Sequence, residues 1–431
     1  MQMDERGKIA RDASILLAAT DGKTRNAGLL AIAKGLEANT AALIAANNED
    51  MKRSQAENLG APLLKRLTFD AAKISDVVQG IYSLIELNNP LGATKLSTHL
   101  DNGLDLYKVT CPIGVIGVIF ESRPDAFIQI ATLCLKSGNS VLLKGGREAL
   151  ETNRLLCKVI QEATATAGIP QGWIQNLESR EEVTAMLSLD QYIDLIIPRG
   201  SNDFVKYIMD NSNIPVMGHA DGICHVYVHD DADLEEAVKI IVDSKTQYVA
   251  ACNTLETLLI NEKVAQTLLP LLKKALDDKK CLIKGDDAVG KIISVEAATE
   301  EDWKTEYLDY ILSIRIVPTM EAAIEHINTY GSGHTDVILT KDEAFVKTFM
   351  TLVDSACVFW NCSTRFSDGF RFGFGAEVGI STAKLHARGP VGLDGLLSYK
   401  YKLLGHGQCV IDYATGKSTF THEPSQLDFP L

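Results

Sequence analysis

The feature that most constrains the fold is an alternation of strand-like and helical patterns, which occurs in two successive series. The first series runs from about residue 104 to 200 and includes the apolar, β-branched run VIGVIF. The second begins near residue 216 and continues to about residue 340. Alternating strand and helix patterns predict parallel sheets covered by helices on both faces. The sequence therefore predicts two α/β domains, an order that suits a cofactor domain followed by a catalytic domain.

Helical patterns precede both series. Stretches rich in Ala, Leu and Ile recur at helical spacing through roughly the first 85 residues. At the other end of the chain, the tail QCVIDYATGKSTFTHEP (408–424) contains alternating β-prone residues. We expect this tail to form an edge strand that pairs with another subunit.

Composition and charge exclude several classes of protein. The 431 residues carry a formal net charge of −14, which argues against a general nucleic-acid-binding surface. No uncharged apolar run approaches the roughly 18 residues of a membrane helix, and the N-terminal MQMDERGKIARDAS lacks the apolar core of a signal peptide. The nine cysteines lack C-x-x-C spacing, which favours reduced thiols. We expect a cytoplasmic protein that binds neither membrane nor nucleic acid.

One cysteine differs from the others in its context. Cys252 lies in YVAACNTLETLLI, between a helical and a strand pattern, and the small residues Ala250 and Ala251 precede it. A loop between packed elements exposes the sulfur while the scaffold holds it still, and the backbone N–H there is available to a developing oxyanion. Cys134 and Cys157 lie instead in helical, apolar contexts typical of inert thiols. From the residues alone, a nucleophile and a structural cysteine are equally good interpretations of Cys252.

Basic residues cluster after predicted strands. Four of them follow strands of the first series: Arg123, Lys144, Arg147 and Arg199. A second group lies between residues 361 and 390: Arg365, Arg371, Lys384 and Arg388. Ligands of open α/β sheets bind outside the carboxyl ends of the strands, where the first group falls. In an acidic protein this placement indicates a polyanionic ligand.

Two further patterns suggest sites that we do not expect to form. The segment FGFGAEVG at 372–379 approaches the dinucleotide fingerprint G-x-G-x-x-G, but no βαβ unit surrounds it. Four potential metal ligands cluster in GHADGICHVYVHD: His219, Cys224, His225 and His229. A metal site is possible there because His225 and His229 share a strand face, but strand histidines of the core or surface are the favoured interpretation. We expect no metal cofactor.

Longer segments carry a resemblance to a known family. They are VTCPIGVIGVIFESRPDAFIQIATLCLKSGNSVLLKGGREA, IIPRGSNDFVKYI, IPVMGHADGICHVYV, AACNTLETLLI and VFWNCSTRFSDGFRFGFGAEVGISTAKLHARGPVGL. These segments resemble the γ-glutamyl phosphate reductases, also called glutamate-5-semialdehyde dehydrogenases, of the aldehyde dehydrogenase superfamily. ESRPD, CN-x-x-ET and KLHARGP are specific to the family, and the similarity covers essentially the whole chain.

The resemblance implies an aldehyde-dehydrogenase-like α/β fold, with two parallel-sheet domains plus a small β oligomerisation extension. The N-terminal helices and the dinucleotide-binding domain are expected at 1–215, with a strand near 96–110 in the extension. The catalytic domain is expected at 216–365. Residues 366–431 are expected to return to the cofactor domain and to supply the C-terminal oligomerisation segment of a homodimer or homotetramer.

The resemblance also implies a reaction. L-Glutamyl 5-phosphate and NADPH would give L-glutamate 5-semialdehyde, NADP+ and phosphate, the second step of proline synthesis from glutamate. Cys252 would attack the acyl phosphate, and hydride would reduce the resulting thioester, so that one difficult displacement becomes two easier steps. The chain has no kinase region, so a separate glutamate 5-kinase is the expected supplier of the substrate and a candidate partner.

Two departures from the wider superfamily fit phosphate chemistry. Val216 stands where hydrolytic aldehyde dehydrogenases carry a general-base glutamate. Ser122 stands where the superfamily has an oxyanion-binding asparagine. The oxyanion hole therefore has three candidate donors: Ser122, Asn253 and the backbone N–H of Cys252.

The resemblance assigns the remaining site residues. Lys144 would contact the adenosine ribose or its 2′-phosphate, and Arg147 would help to select NADPH. Gly200 and Ser201 would lie near the pyrophosphate, and Glu306 would bind the nicotinamide ribose.

For the substrate, Arg123 and Arg365 are expected to bind phosphate or the α-carboxylate, and Asp368 the α-ammonium, because a guanidinium fork matches either anion bidentately. Three rival functions stay open: a hydrolytic or coenzyme A-acylating aldehyde dehydrogenase, a catalytically inactive binding protein, and a cysteine hydrolase that uses a histidine.

Overall fold

The computed structural model describes residues 2–121, 123–218 and 221–431, so Ser122 and His219 lie outside the described residues. The chain divides into two compact units. The first comprises the residues up to Met217 together with Phe374–Gly379 and Val391–Leu431. The second comprises Gly218–Gly373 and Ile380–Pro390.

The helices are α1 (Met3–Ala19), α2 (Gly22–Ala38), α3 (Thr40–Ala56), α4 (Ala61–Leu67), α5 (Ala71–Glu86), α6 (Pro124–Ser137), α7 (Leu150–Thr166), α8 (Arg180–Met186), α9 (Asn202–Asn211), α10 (Leu234–Thr246), α11 (Glu262–Asp277), α12 (Asp287–Gly290), α13 (Met320–Tyr330), α14 (Glu343–Leu352) and α15 (Val410–Ala414). The strands are β1 (Thr94–Asp101), β2 (Leu104–Pro112), β3 (Val115–Phe120), β4 (Ser140–Lys144), β5 (Ile174–Leu177), β6 (Leu195–Arg199), β7 (Cys224–Val228), β8 (Leu255–Asn261), β9 (Leu282–Gly285), β10 (Glu296–Ala297), β11 (Ile311–Val317), β12 (Thr335–Leu339), β13 (Cys357–Trp360), β14 (Gly379–Ser381), β15 (Gly389–Val391), β16 (Leu397–Leu404) and β17 (Glu423–Ser425).

Five helices, α1 to α5, form the N-terminal part of the first unit, as the periodicity predicts. Side-chain caps begin two of them: Asp21 accepts from Thr24 N, and Asp70 from Lys73 N. No single helix among the described residues is long and apolar enough to cross a membrane, although α2 and α3 meet that test jointly across a 69° bend. Six residues of α2 and four of α3 are buried in the protein.

A four-stranded parallel sheet, in the order β5-β4-β3-β6, forms the centre of the first unit. The chain steps outwards from β3 through β4 to β5 and then returns to the far side of β3 as β6. The strand order therefore reverses between β3 and β6. Such a reversal is the switch point at which α/β sheets bind ligands, at the carboxyl ends of their strands.

The strand pattern at 104–120 divides into two strands of different sheets, β2 and β3, at Gly114. Gly114 has a φ of +135°, and a Cβ there would lie 2.1 Å from Asp194 Oδ2. Asp194 accepts from Val115 N and binds Arg11 through both carboxylate oxygens at 2.8 and 2.9 Å. The chain turns here because only glycine leaves room for this ion pair.

An antiparallel sheet in the order β16-β2-β1-β17 completes the first unit. The expectation of one strand near 96–110 is wrong in detail, because β1 and β2 form a hairpin around Asn102 and Gly103. The tail is also not a continuous strand: Val410–Ala414 is helical, and only Glu423–Ser425 pairs with β1. A role of this sheet in oligomerisation stays a prediction.

A seven-stranded sheet in the order β10-β9-β11-β8-β7-β12-β13 forms the second unit. All six strand pairs are parallel. The core between this sheet and its helices includes four leucines of α11: Leu268, Leu269, Leu272 and Leu276. Because β8, β7 and β12 are neighbours, the residues that precede these three strands share one edge of the sheet.

Candidate active site

Cys252 lies in the loop between α10 and β8 and is half-buried. The loop is held locally, since Thr254 Oγ1 donates to Tyr248 O at 2.8 Å and Thr254 N to Ala251 O at 2.9 Å. Gly222 packs against its backbone so closely that a Cβ on Gly222 would lie 2.0 Å from Cys252 O. Because residue 222 is glycine, its segment can pack directly against the backbone of Cys252.

His334, which the sequence analysis did not single out, is in contact with that sulfur. His334 Nε2 lies 3.2 Å from Cys252 Sγ, and Nδ1 lies 2.8 Å from Thr335 Oγ1. The tautomer that donates Nδ1–H to Thr335 leaves Nε2 as an acceptor for the thiol proton. His334 is fully buried. It precedes β12 as Cys252 precedes β8, so the amino edge of the sheet brings a thiol and a base together.

Cys224, the first residue of β7, lies between these two groups. Its Sγ is 3.3 Å from Cys252 O and 3.8 Å from His334 Nδ1. Burial raises the pKa of Cys224 well above its usual range, and the charges of Asp336 and Cys252 add to the effect. The raised pKa disfavours the Cys224 thiolate, and the Cys224 thiol donates to the Cys252 carbonyl.

Arg365 is a buried cation of the same unit. Its side chain donates from Nε to Gln247 Oε1 at 3.0 Å, and Gln247 directly follows α10. Within the described residues Arg365 forms no ion pair, and its Nη1 is buried without a hydrogen-bond acceptor. Burial lowers its pKa, Arg371 lowers it further, and the charge of Cys252 partly opposes them. A buried guanidinium with an unused donor is a strong indicator of an anionic ligand.

Asn253 and Asp368 have backbone partners. Asn253 Nδ2 donates to Ser367 O at 2.7 Å, which connects the cysteine loop to the segment that carries Arg365. Asp368 Oδ1 accepts from Phe370 N and Arg371 N, and Asp368 Oδ2 lies 3.6 Å from Arg371. The oxyanion role of Asn253 and the α-ammonium role of Asp368 stay predictions.

The cofactor candidates of the first unit lie at the carboxyl ends of β4 and β6. Lys144 ends β4, donates to Gly145 O at 2.6 Å, and has its pKa lowered by burial. Gly200 and Ser201 follow β6 at the start of α9. Arg147 differs, because 80% of its side chain is exposed and its described partner is Glu57 at 3.5 Å.

The other two residues assigned by the resemblance lie in different units. Arg123, in the first unit, precedes α6 and forms an ion pair with Asp125 at 2.8 Å. Glu306, in the second unit, precedes β11, and its charge helps to raise the pKa of the Glu256 carboxyl. Their binding roles stay predictions.

Comparisons with known proteins bear on this geometry. Residues 2–301 match the aldehyde dehydrogenase family model. Curated relatives named γ-glutamyl phosphate reductase include those of Ruminiclostridium cellulolyticum, 66% identical over 95% of each chain, and Acetivibrio thermocellus, 62% identical over 100% of each chain. The chain belongs to the γ-glutamyl phosphate reductases. The predicted family and enzyme class are thereby confirmed.

Solved structures confirm the predicted aldehyde-dehydrogenase-like α/β fold. The γ-glutamyl phosphate reductase of Thermotoga maritima is 37% identical, with a TM-score of 0.93, and the match covers 95% of this chain and 100% of that one. An acetylating aldehyde dehydrogenase from Geobacillus thermoglucosidasius is 17% identical, with a TM-score of 0.63 over 94% and 97% of the two chains. The latter shows the fold alone.

The two histidines considered as metal ligands have different surroundings. His225 is fully buried, and its Nδ1 lies 2.9 Å from Asp336 Oδ1. His229 lies 3.0 Å from carboxylate oxygens of both Asp230 and Asp231, but Lys263 binds Asp230 at 2.6 Å. Both histidines are therefore already paired with carboxylates of this chain.

Proposed function

We propose that this protein reduces L-glutamyl 5-phosphate to L-glutamate 5-semialdehyde with NADPH and releases phosphate, through a thioester on Cys252. The reaction would be the second step of proline synthesis from glutamate. The observation that carries the proposal is the contact between Cys252 Sγ and His334 Nε2 at 3.2 Å. The name γ-glutamyl phosphate reductase, which the curated relatives carry, supports the substrate assignment.

The first half of the reaction uses Cys252 and His334. His334 Nε2 accepts the thiol proton, and the thiolate attacks the acyl carbon of the substrate. The carbon–oxygen bond to phosphate breaks, and a thioester remains on Cys252. Arg365, with its buried and unused donor, is the proposed partner of a substrate anion in this step.

The second half requires that the thioester survives until hydride arrives. Val216 has no group that activates water, which supports reduction over hydrolysis. Hydride supplied by a bound nicotinamide would convert the thioester carbon into a tetrahedral oxyanion, from which Cys252 would leave as a thiolate as the aldehyde forms. The backbone N–H of Cys252, Asn253 and Ser122 remain the proposed donors to the oxyanion.

Residues of the first unit fit a nicotinamide dinucleotide phosphate. When bound, NADPH supplies the hydride. Lys144 is a half-buried cation at a strand end, next to Gly145 and Gly146, where a Cβ would lie 2.1 Å from Asn153 Nδ2 and 1.9 Å from Glu148 Oε1. We assign Lys144 and the exposed Arg147 to the 2′-phosphate.

The other cofactor contacts follow from the family resemblance. Gly200 and Ser201 are assigned to the pyrophosphate because they immediately precede α9, whose N-terminus favours negative charge. Glu306 is assigned to the nicotinamide ribose.

Assembly and partners belong to the same proposal. We propose a homodimer or homotetramer that forms through the antiparallel sheet. Among the described residues, β16 has a neighbour on one side only, and its Tyr399, Tyr401 and Leu403 are exposed. A glutamate 5-kinase in the same cytoplasmic compartment would supply the unstable acyl phosphate.

The reverse reaction tests the proposed function. Glutamate semialdehyde and NADP+ should give NADPH only when inorganic phosphate is present, and the absorbance of NADPH measures its formation. Activity that is independent of phosphate would indicate a hydrolytic dehydrogenase, and activity that requires coenzyme A would indicate an acylating one. Either result would contradict the proposal.

Replacing Arg365 by methionine should raise the KM for one anionic reactant roughly 10- to 100-fold, which corresponds to about 1.4–2.7 kcal/mol. A higher KM for phosphate would assign Arg365 to the phosphate group, and a higher KM for the semialdehyde would assign it to the α-carboxylate. Lys341→Met, which removes an exposed cation of the same unit outside the predicted basic groups, is the matched control. An unchanged KM for both reactants would remove Arg365 from the site.

A further inference from the structure

Lys245 and Glu256 form a buried ion pair at the two ends of the loop that contains Cys252. Lys245 Nζ lies 2.6 Å from Glu256 Oε2, and both side chains are 0% exposed. Lys245 is in the last turn of α10, and Glu256 is the second residue of β8. The two residues therefore flank the loop that contains Cys252, and their contact closes that loop at its base.

Stability alone does not account for this pair. Two charges that leave water lose their hydration, and apolar side chains of similar volume often give equal or greater stability. Glu256 lies on a strand whose other residues are also buried, next to the apolar core of the second unit. A buried ion pair at such a position fixes one geometry, because each charge requires the other at hydrogen-bond distance.

The same pair contacts the segment that carries Glu306. Lys245 Nζ lies 5.9 Å from the centroid of the Tyr307 ring. Tyr307 Oη bonds Asp302 Oδ1 and Ser313 Oγ, each at 2.7 Å, and Lys284 Nζ binds Asp302 at 2.5 Å. These bonds anchor the side chains of Asp302 and Tyr307, which lie on either side of Glu306 in the sequence.

Electrostatics agree with this proximity. Burial raises the pKa of the Glu256 carboxyl, the charge of Lys245 opposes that rise, and the charge of Glu306 adds to it. Glu256 is therefore close enough to Glu306 to respond to its charge. One ion pair thus adjoins both the loop of the nucleophile and the segment assigned to the nicotinamide ribose.

We propose that Lys245 and Glu256 are positioning residues. They hold the Cys252 loop at a fixed position relative to His334 and relative to the Glu306 segment. Neither residue touches the reacting atoms. The part of this inference that concerns Glu306 rests on the proposed function, whereas the part that concerns Cys252 and His334 rests on the geometry alone.

The test uses the double variant Lys245→Met with Glu256→Leu in the full-length protein. Each single variant leaves a buried charge without its partner and should have a lower Tm than the wild type, whereas the double variant should regain Tm. Iodoacetamide labelling of the Cys252 peptide, measured by mass spectrometry at neutral pH, should be slower by on the order of tenfold in the double variant. The kcat of the double variant should fall together with its labelling rate, and its KM for NADPH should rise.

Lys273→Met, which removes an exposed ion pair with Asp277 in the same unit, is the matched control. It should change neither the Tm, the labelling rate, kcat nor the KM for NADPH.

The outcomes separate the two ideas. Slow labelling of Cys252 at a regained Tm supports the positioning role, whether or not the wild type shows phosphate-dependent turnover. Recovery of wild-type labelling and kcat together with Tm would overturn it, because the pair would then be structural only. A wild type without phosphate-dependent turnover would instead contradict the proposed function.

Discussion

Replacing Cys252 by serine is expected to lower the phosphate-dependent oxidation of glutamate semialdehyde by about 10⁴-fold or more. The hydroxyl of serine ionises far less readily than a thiol, so His334 cannot generate an equivalent nucleophile from it. Serine is slightly smaller than cysteine and fits the same half-buried position, so Tm should change little. Initial rates of NADPH formation, measured with the wild type and the variant at equal concentration, check the expectation.

Cys362→Ser is the matched control for this substitution. Cys362 is also a half-buried free thiol of the second unit, and burial raises its pKa, which disfavours the reactive thiolate. It should retain wild-type rates. Turnover that survives in Cys252→Ser but disappears in Cys362→Ser or Cys224→Ser would show that a different sulfur forms the thioester.

Periodicity predicted the elements of the fold well, because helix and strand patterns are local properties of a sequence. The N-terminal helices and both parallel sheets follow from it. The division of 104–120 into β2 and β3 does not, because the reason for it is distant in sequence. The turn at Gly114 depends on Asp194 and Arg11, whose contact no local pattern reveals.

The candidate site was predicted in part. The small neighbours of Cys252 and its position between a helix and a strand indicated an accessible sulfur. His334 was missed because the ligand-binding candidates were sought at the carboxyl ends of strands, whereas His334 directly precedes β12. A histidine after Gly331–Ser332–Gly333 and before a predicted strand carried a signal for the amino edge. That signal becomes specific only when the order β8-β7-β12 is known.

Burial of charge is the property that the sequence conveys least. Lys245 and Glu256 are eleven residues apart, and although Glu256 lies in the strand-like run LETLLI, no local pattern shows that Lys245 is buried with it as its partner. Lys144 and Arg147 are similar in sequence context, but the first is half-buried and the second mostly exposed. Side-chain charge is a local property, whereas desolvation is set by the packing of the whole unit.

Replacing His334 by glutamine is expected to lower kcat by about 10²- to 10⁴-fold at neutral pH, the range that general acid–base groups contribute. Glutamine keeps a hydrogen-bonding atom near the Nε2 position but cannot accept the thiol proton. Labelling of Cys252 by iodoacetamide should slow at neutral pH and recover above about pH 8.5, where an unassisted thiol ionises. A plot of labelling rate against pH for the wild type and the variant checks both parts.

His326→Gln is the matched control, because His326 is a buried histidine of the same unit. Its ring lies against Trp303 and accepts from Arg315, and burial followed by the charges of His225 and Arg315 lowers its pKa to about 2. It is therefore neutral throughout the assay range, and its loss should leave the pH dependence of Cys252 labelling unchanged.

If His334→Gln keeps wild-type labelling at neutral pH, the contact at 3.2 Å between His334 Nε2 and Cys252 Sγ does not activate the thiol. The nucleophile would then depend on the desolvated charges of the site, with Arg365 the nearest candidate because its charge interacts with that of Cys252.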